Sequence, residues 1–462
     1  MVTVHQKEHL LERRETAFLK DLRVVVVGLG VSGEAAAKLA AGAGAEVWGL
    51  DRKLRHELGA KADELESEGV NLLLGDNPIW KDFDLVVMSP GVPDNHPIVQ
   101  TAKEEGIPVW SEIEFASRCA RCHLIAVTGT DGKTTTVTMV RDILSAHRKR
   151  AFLGGNIGTA FSSLVGDKHF VHTPFAVVEV SSFQLLHVDS FKPHVVAILN
   201  IAVDHRDRHG SQEAYREAKW RIIKNMDEYG FLVVRNDLAN EIPDDFPGYP
   251  LFFGLKDEGR EGTFWVGDRI FWRFENEVVS LPVAPTYLSA RPEKENAAAA
   301  VTIAMAAGME LHKSVAVVEK FKPLPHRLEC VGRKGGITFV NNSKSTNVHS
   351  TLAALESIQS PVVLIAGGKD KGEDFDRLVE ATRGRLRAAV LLGETANRLA
   401  AHLADVTHVR LVGGMEEAVT CASEIAQDGD TVLLSPACSS FDMYSGFEER
   451  GEDFRRLVSA RV

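Results

Sequence analysis

A short run of β-branched or aliphatic residues, then a glycine turn, then an alanine- or leucine-rich stretch, recurs along this chain, and that alternation constrains the fold more than any other feature. Arg23-Val24-Val25-Val26-Val27 runs into Gly28, and His123-Leu124-Ile125-Ala126-Val127 leads to Gly129. Val362-Val363-Leu364-Ile365 runs into Gly367-Gly368, followed by Ala389-Val390-Leu391-Leu392-Gly393 and Thr431-Val432-Leu433-Leu434. Strands this apolar are buried on both faces, as in parallel sheets covered by helices. Three such blocks in 462 residues predict three α/β domains, at an ordinary domain size. Prolines and polar residues put the seams near Ser111 and near Pro323-Leu324-Pro325, giving domains 1–111, 112–323 and 324–462. Between Phe246 and Pro285 the pattern changes to short aromatic segments, which predicts a small antiparallel sheet attached to the middle domain. No fixed-period repeat or low-complexity segment interrupts this plan.

Composition excludes several classes. Apolar residues at 44% and charged residues at 25% suit a soluble globular protein, and no apolar run reaches the ~18 residues of a membrane span. The segment from Met1 to Lys20 is too charged for a signal peptide. Five cysteines fit a reducing compartment better than a disulfide framework. A net charge of −11 argues against non-specific nucleic-acid binding. The expectation is a cytoplasmic enzyme without nucleic-acid or membrane partners. Cys119-Ala120-Arg121-Cys122 has no partner pair for zinc, and Cys438 has no activating neighbour, so both read as packing.

Two glycine loops carry the chemistry. Gly28-Leu29-Gly30-Val31-Ser32-Gly33 lies between a strand and a helix (34–41), and Asp51 ends the next strand. That pattern brings backbone close to a diphosphate at a helix N-terminus. On its own it fits NAD, another diphosphate such as a UDP-sugar, or a turn needed only for packing. Thr128-Gly129-Thr130-Asp131-Gly132-Lys133-Thr134-Thr135 also joins a strand to a helix (137–146) and ends as a P-loop does, although Val127 stands where the strict pattern has glycine. Its backbone can wrap phosphates, Lys133 can reach the terminal ones and the Thr134 hydroxyl can hold Mg²⁺.

Glu179 lies inside the apolar run Val177-Val178-Glu179-Val180, where a carboxylate is costly unless it is paired or metal-bound. It reads as a second Mg²⁺ ligand or as half of an ion pair. The polar cluster Asp204-His205-Arg206-Asp207-Arg208-His209 follows another strand, where open α/β sheets bind ligands. There His205 could hold a metal or contact substrate, or the cluster could be solvated loop charge. Lys219, on an expected helix over 212–225, reads by itself as a solvated lysine.

The Thr128–Thr135 loop, Gly154-Gly155-Asn156-Ile157-Gly158, Glu179-Val180-Ser181-Ser182-Phe183-Gln184-Leu185 and Asp204-His205 resemble the Mur ligase family. So do Pro325-His326-Arg327-Leu328-Glu329, Asn342-Ser343-Lys344-Ser345-Thr346-Asn347 and Ser435-Pro436-Ala437-Cys438-Ser439-Ser440-Phe441-Asp442, and the resemblance spans residues 21–460. The Ser-Ser-Phe-Gln-Leu and Ser-Pro-Ala-Cys segments look like members that add D-glutamate to UDP-N-acetylmuramoyl-L-alanine in peptidoglycan precursor synthesis.

The resemblance implies an ADP-forming acid–D-amino-acid ligase, and the chain is expected to be a monomer. It also implies a Rossmann-like UDP-binding domain, a central P-loop ATPase-type domain and a Rossmann-like C-terminal domain. Ser32 would meet the diphosphate, and Asp51, Arg52 and Gly91 the uracil. Asn156 and His205 would contact the muramoyl part. Gly129, Thr130, Gly132, Lys133, Thr134 and Thr135 would cradle ATP. Thr134, Glu179, His205 and Lys219, the last as a carbamate, would hold Mg²⁺. Asn296, Arg327 and Asn342 would lie near the nucleoside, and Lys344, Thr346, Lys371, Ser440 and Phe447 would receive D-glutamate. Four positions depart from the family: Pro292-Glu293 for His-Asn, Asn342 for Asp, and Asp131 for the commoner Asn.

The implied reaction phosphorylates a carboxylate to an acyl phosphate, which the amine then attacks, and closure of the third domain is expected to assemble the site. Sister ligases adding L-alanine or a diamino acid, and folylpolyglutamate synthase, are the near alternatives. An NAD-dependent oxidoreductase would leave the second loop unused, and a P-loop regulatory NTPase would leave the first unused.

Overall fold

The computed structural model describes residues 16–75, 82–166, 173–202, 206–284, 291–322, 324–370 and 373–461. They form two compact units: one within Met1–Ile201, Glu213–Thr286 and Lys294–Lys320, the other within Ala202–Gln212, Tyr287–Glu293 and Phe321–Val462. The first unit holds two sheets and the second holds one.

The N-terminal sheet contains β1 (Arg23–Val27), β2 (Glu46–Asp51), β3 (Val70–Leu74), β4 (Leu85–Met88) and β5 (Val109–Ser111). All are parallel, in the order β3-β2-β1-β4-β5. The order reverses at β1, so the glycine loop after β1 lies at the switch point where doubly wound sheets bind ligands. Val24 to Val27 are buried, as their unbroken aliphatic run requires.

The middle sheet begins with β6 (His123–Thr128), β7 (Ala151–Gly155), β8 (Phe175–Glu179), β9 (Val195–Ile198) and β10 (Phe231–Arg235). It continues through β11 (Tyr249–Gly254), β12 (Gly262–Val266), β13 (Arg269–Phe274) and β14 (Glu277–Pro282). The expected antiparallel strands are present as the β12–β13–β14 ladder, attached to the middle domain by continuing its main sheet rather than forming a sheet of their own. The aromatic segments extend the main sheet to nine strands, in the order β14-β13-β12-β11-β10-β9-β6-β8-β7. β11 pairs parallel with β10, and only the β12–β13–β14 ladder is antiparallel. Gly262 permits the join: its φ is +130°, and a Cβ there would lie 1.8 Å from the Phe252 carbonyl oxygen.

The segment that follows β5 is anchored by two buried glutamates of the helix Glu112–Cys119. The Glu114 carboxylate accepts the backbone N–H groups of Asp189 (3.0 Å), Ser190 (3.0 Å) and Phe191 (2.8 Å). Glu112 accepts the Ser162 N–H at 2.5 Å, while its second carboxylate oxygen has no hydrogen-bond partner among the described residues. Burial pushes the Glu112 carboxyl up to about 7, against the weaker pull of those N–H bonds.

The C-terminal sheet comprises β15 (Glu329–Lys334), β16 (Ile337–Asn341), β17 (Val362–Ala366), β18 (Leu386–Leu391), β19 (His408–Leu411) and β20 (Thr431–Leu434). Its order is β15-β16-β20-β17-β18-β19, antiparallel only between β15 and β16. β17 and β20 are buried along their whole length, and apolar clusters cover both faces.

Candidate active site

The second glycine loop connects β6 to the helix Lys133–Ala146, which starts four residues earlier than its apolar periodicity suggested. Gly132 takes φ +82°, and a Cβ there would lie 2.2 Å from the Asn296 side-chain oxygen, so only glycine fits. Asn200, just after β9, fastens the loop. Its Oδ1 accepts the N–H groups of Thr130 (3.0 Å) and Asp131 (2.8 Å), and its Nδ2 donates to the Asp131 carbonyl at 3.1 Å. The helix N-terminus is left facing the loop, a ready anion site. Lys133 folds back over the loop, its Nζ donating to the carbonyls of Gly129 and Thr130 at 2.7 Å each.

Glu179 ends β8, next to β6, and is buried. Its Oε2 accepts from the Thr134 hydroxyl at 2.8 Å and its Oε1 from the Asn156 amide at 3.1 Å. Among the described residues the carboxylate therefore has polar partners rather than the ion pair that sequence left open. Two oxygen donors of a hydroxyl–carboxylate pair, at the mouth of a phosphate loop, suit Mg²⁺, which takes few protein ligands and completes its shell with phosphate and water.

Lys219 is no solvated lysine. It is 1% exposed, and its Nζ donates to the Gly129 carbonyl at 2.8 Å and lies 4.5 Å from the centroid of the Tyr215 ring. The Tyr215 hydroxyl is 3.2 Å from the Thr130 hydroxyl. The helix carrying both, Gln212–Trp220, is shorter than the expected 212–225, because a 3₁₀ turn at Arg221–Ile223 replaces its end.

The structure thus gathers Thr130, Lys133, Thr134, Asn156, Glu179, Lys219 and Asn296 around one loop. Sequence reasoning missed Asn200 and Tyr215. An amide at the carboxyl end of a strand, and an aromatic residue one helical turn before a buried lysine, were the available signals. His205 and Lys371 lie outside the described residues.

At the first loop, Gly33 would place a Cβ 1.8 Å from the Gly28 carbonyl oxygen, so the helix Val31–Gly42 starts tight against the turn. Asp51 accepts the Leu29 N–H at 2.7 Å and the Lys53 N–H at 2.9 Å. It therefore shapes the loop as well as lining it. Ser32 is half-buried, and Arg52 and Gly91 are exposed.

In the second unit, Lys344 Nζ lies 3.8 Å from the centroid of the Phe447 ring, and Ser440 is buried in the segment after β20. Thr346 is half-buried two residues beyond Lys344, to whose carbonyl it donates at 2.9 Å. Asn342 spends its amide internally: Oδ1 accepts the Leu328 N–H (3.2 Å) and Nδ2 donates to the Ser435 hydroxyl (3.1 Å). Arg327 acts electrostatically on Glu293, whose carboxyl burial pushes up. Burial also pushes the Cys122 and Cys438 thiols up to about 12, which suits their packing role.

Family models match the chain in three consecutive pieces: a Mur ligase MurD-like N-terminal domain over residues 22–111, a Mur ligase middle domain over 127–265, and a Mur ligase glutamate ligase domain over 326–438. The chain belongs to the Mur ligase family. Among its Mur ligase relatives, the UDP-N-acetylmuramoylalanine–D-glutamate ligase of Koribacter versatilis is 39% identical over 94% of this chain and 97% of its own length. The enzyme of the same name from Trichlorobacter lovleyi is 38% identical over 95% and 99%. Solved structures share the fold at lower identity. A pseudomurein peptide ligase type C from Methanothermus fervidus has a TM-score of 0.61 at 17% identity, covering 96% of this chain and all of that one. The MurF ligase of Thermotoga maritima in complex with ADP gives 0.59 at 17%, covering 96% and 99%.

Proposed function

We propose that this Mur ligase joins D-glutamate to UDP-N-acetylmuramoyl-L-alanine, consuming ATP and forming ADP, in peptidoglycan precursor synthesis. The observation that carries the chemistry is the contact of Glu179 with Thr134 and Asn156 at the mouth of a loop that also holds Lys133 and Lys219. The names of relatives that match nearly the whole chain support the substrate pair.

Lys133 leaves the two carbonyls it now occupies and follows the γ-phosphoryl group, offsetting charge as the muramoyl-L-alanine carboxylate attacks it. Asn156 orients that carboxylate's carrier beside the loop. Mg²⁺, held by Thr134, Glu179, His205 and Lys219 as a carbamate, would screen the converging anions when bound. The D-glutamate amine then attacks the acyl phosphate through a tetrahedral intermediate that expels phosphate. Lys344, Thr346, Lys371, Ser440 and Phe447 receive D-glutamate; Asn296, Arg327 and Asn342 serve the nucleoside. Ser32, Asp51, Arg52 and Gly91 hold the UDP end, with domain seams at residues 111 and 323. The enzyme acts as a cytoplasmic monomer, where both nucleotides are supplied.

Phosphate release measured with each substrate omitted in turn tests this reading. Release should require ATP, UDP-N-acetylmuramoyl-L-alanine and D-glutamate together; equal release with L-alanine in place of D-glutamate would reassign the amino acid.

A further inference from the structure

Arg450, in the helix Phe447–Ser459, is 3% exposed, yet among the described residues its guanidinium meets no carboxylate. Its Nε donates to the Ser343 hydroxyl (3.0 Å), Nη2 to the Ser343 carbonyl (2.9 Å), and Nη1 to the carbonyls of Cys438 and Ser439 (3.2 Å each). All four contacts are neutral, and among the described residues no ion pair completes them. Buried arginines are normally paired, because taking the charge out of water costs several kcal/mol. Burial lowers the Arg450 pKa to about 10 despite Cys438, Asp442 and Tyr444 acting in the other direction, so the group stays cationic at neutral pH.

The oxygens that Arg450 holds lie in a significant place. Ser343 follows β16, and Cys438 and Ser439 follow β20, the neighbouring parallel strand. The Ser439 carbonyl also accepts the Lys369 N–H at 2.9 Å, from the segment after β17, the next strand again. The Ser343 hydroxyl donates to the Phe447 carbonyl at 2.8 Å. One guanidinium therefore ties together the ends of two adjacent parallel strands and, through the Ser439 carbonyl it shares with Lys369, reaches the end of a third, the edge at which such sheets bind ligands. These are the segments that bear Lys344, Ser440 and Phe447.

We infer that Arg450 is a positioning and specificity residue for a dianionic amino acid: it holds the segments that bear Lys344, Ser440 and Phe447 and supplies a buried positive charge that an anionic side chain neutralises. The inference rests on the proposed use of D-glutamate. Its test compares D-glutamate with D-glutamine, which differs only in lacking the side-chain charge, in the full-length enzyme.

Arg450→Gln should raise KM for D-glutamate roughly ten- to a hundredfold. It should change kcat and the KM for ATP by less than about threefold and erode the preference for D-glutamate over D-glutamine. Arg450→Lys, which keeps charge without the fork, should retain most of that preference. Equal losses on both amino acids in both variants would reduce Arg450 to scaffolding and overturn the inference, as would an unchanged KM.

Should Arg450→Gln fail to fold, Asp442→Asn examines the same field by removing the acid that acts on Arg450. KM for D-glutamate should fall several-fold and that for D-glutamine should not; no change, or a rise, overturns the inference. Were the wild type not to turn over D-glutamate, the substrate reading would fail by itself. Thermal stabilisation of the wild type and Asp442→Asn by D-glutamate against D-glutamine would then still decide the role of Arg450.

Discussion

Two lysines on one carbonyl define the nucleotide site at the scale of residues. In the proposed reaction Lys133 meets the transferred phosphate, so Lys133→Ala should cost ~3 kcal/mol or more of transition-state stabilisation. Single-turnover assays at saturating ATP should show acyl-phosphate formation all but lost in a folded protein; near-normal turnover would mean that the loop has another use. Lys219 makes a sharper case. A protonated lysine repels Mg²⁺, whereas its neutral amine can add CO₂ to give a carbamate with the oxygens Mg²⁺ prefers. Lys219→Ala and Lys219→Arg should both fold and both be nearly inactive, since arginine keeps charge and length but cannot form the carbamate. A carbamate carbonyl signal from ¹³C-bicarbonate should appear in the wild type and vanish in both. Full activity of Lys219→Arg would leave the lysine a structural role on Gly129. Sequence pattern found Lys133, because a glycine loop between a strand and a helix has few other uses. It could not find Lys219 or Tyr215, because their burial is decided by how the helix packs on a loop about 85 residues away in sequence.

Among the elements, the helix Glu112–Cys119 offers a measurement that separates folding from chemistry. The Glu112 carboxyl is raised to about 7 in the folded chain, against 4.5 for its ordinary value. Below about pH 4.5 it is protonated folded and unfolded, and there is no penalty. Between about pH 4.5 and 7 the unfolded carboxyl ionises while the buried one keeps its proton, so stability falls by roughly 3 kcal/mol over that interval and levels off above pH 7, where both forms are charged. Glu112→Gln should remove this slope, unfolding at a higher temperature than the wild type at pH 8 and near it at pH 5. Parallel pH profiles from calorimetry would count against a neutral Glu112. Neither this glutamate nor the anchoring Glu114 was legible in sequence, since acids in the first turn of a helix are ordinarily solvent-exposed helix-dipole partners. The strands were more readable. Aliphatic runs such as Val24–Val27 and Val362–Ile365 have no stable place except a doubly covered sheet. The aromatic segments after Phe246 were recognised as strands, but alternation says nothing about which edge a strand joins. That choice turned on Gly262, which lets backbone close on Phe252.

At the level of the whole molecule, the two glycine loops must be explained together. The first, taken alone, fits NAD as well as UDP; the second gives the chain a use for ATP. Isothermal titration of the full-length protein should show binding of UDP-N-acetylmuramoyl-L-alanine and no heat with NAD. Tight NAD binding with a silent UDP ligand would sink the ligase reading. The three-sheet plan was visible because each block repeats the same strand–glycine–helix grammar, and the motifs fall in order through all three. The Gly129 carbonyl, finally, accepts from Lys133 at 2.7 Å and from Lys219 at 2.8 Å. If nucleotide draws Lys133 away, as proposed, Lys219 would be left that oxygen alone and the two sites would be thermodynamically linked. Reciprocity then requires that whatever factor ATP applies to carbon dioxide uptake at Lys219, carbon dioxide applies to ATP affinity. Such a ligase would register the bicarbonate supply of its surroundings through its grip on nucleotide.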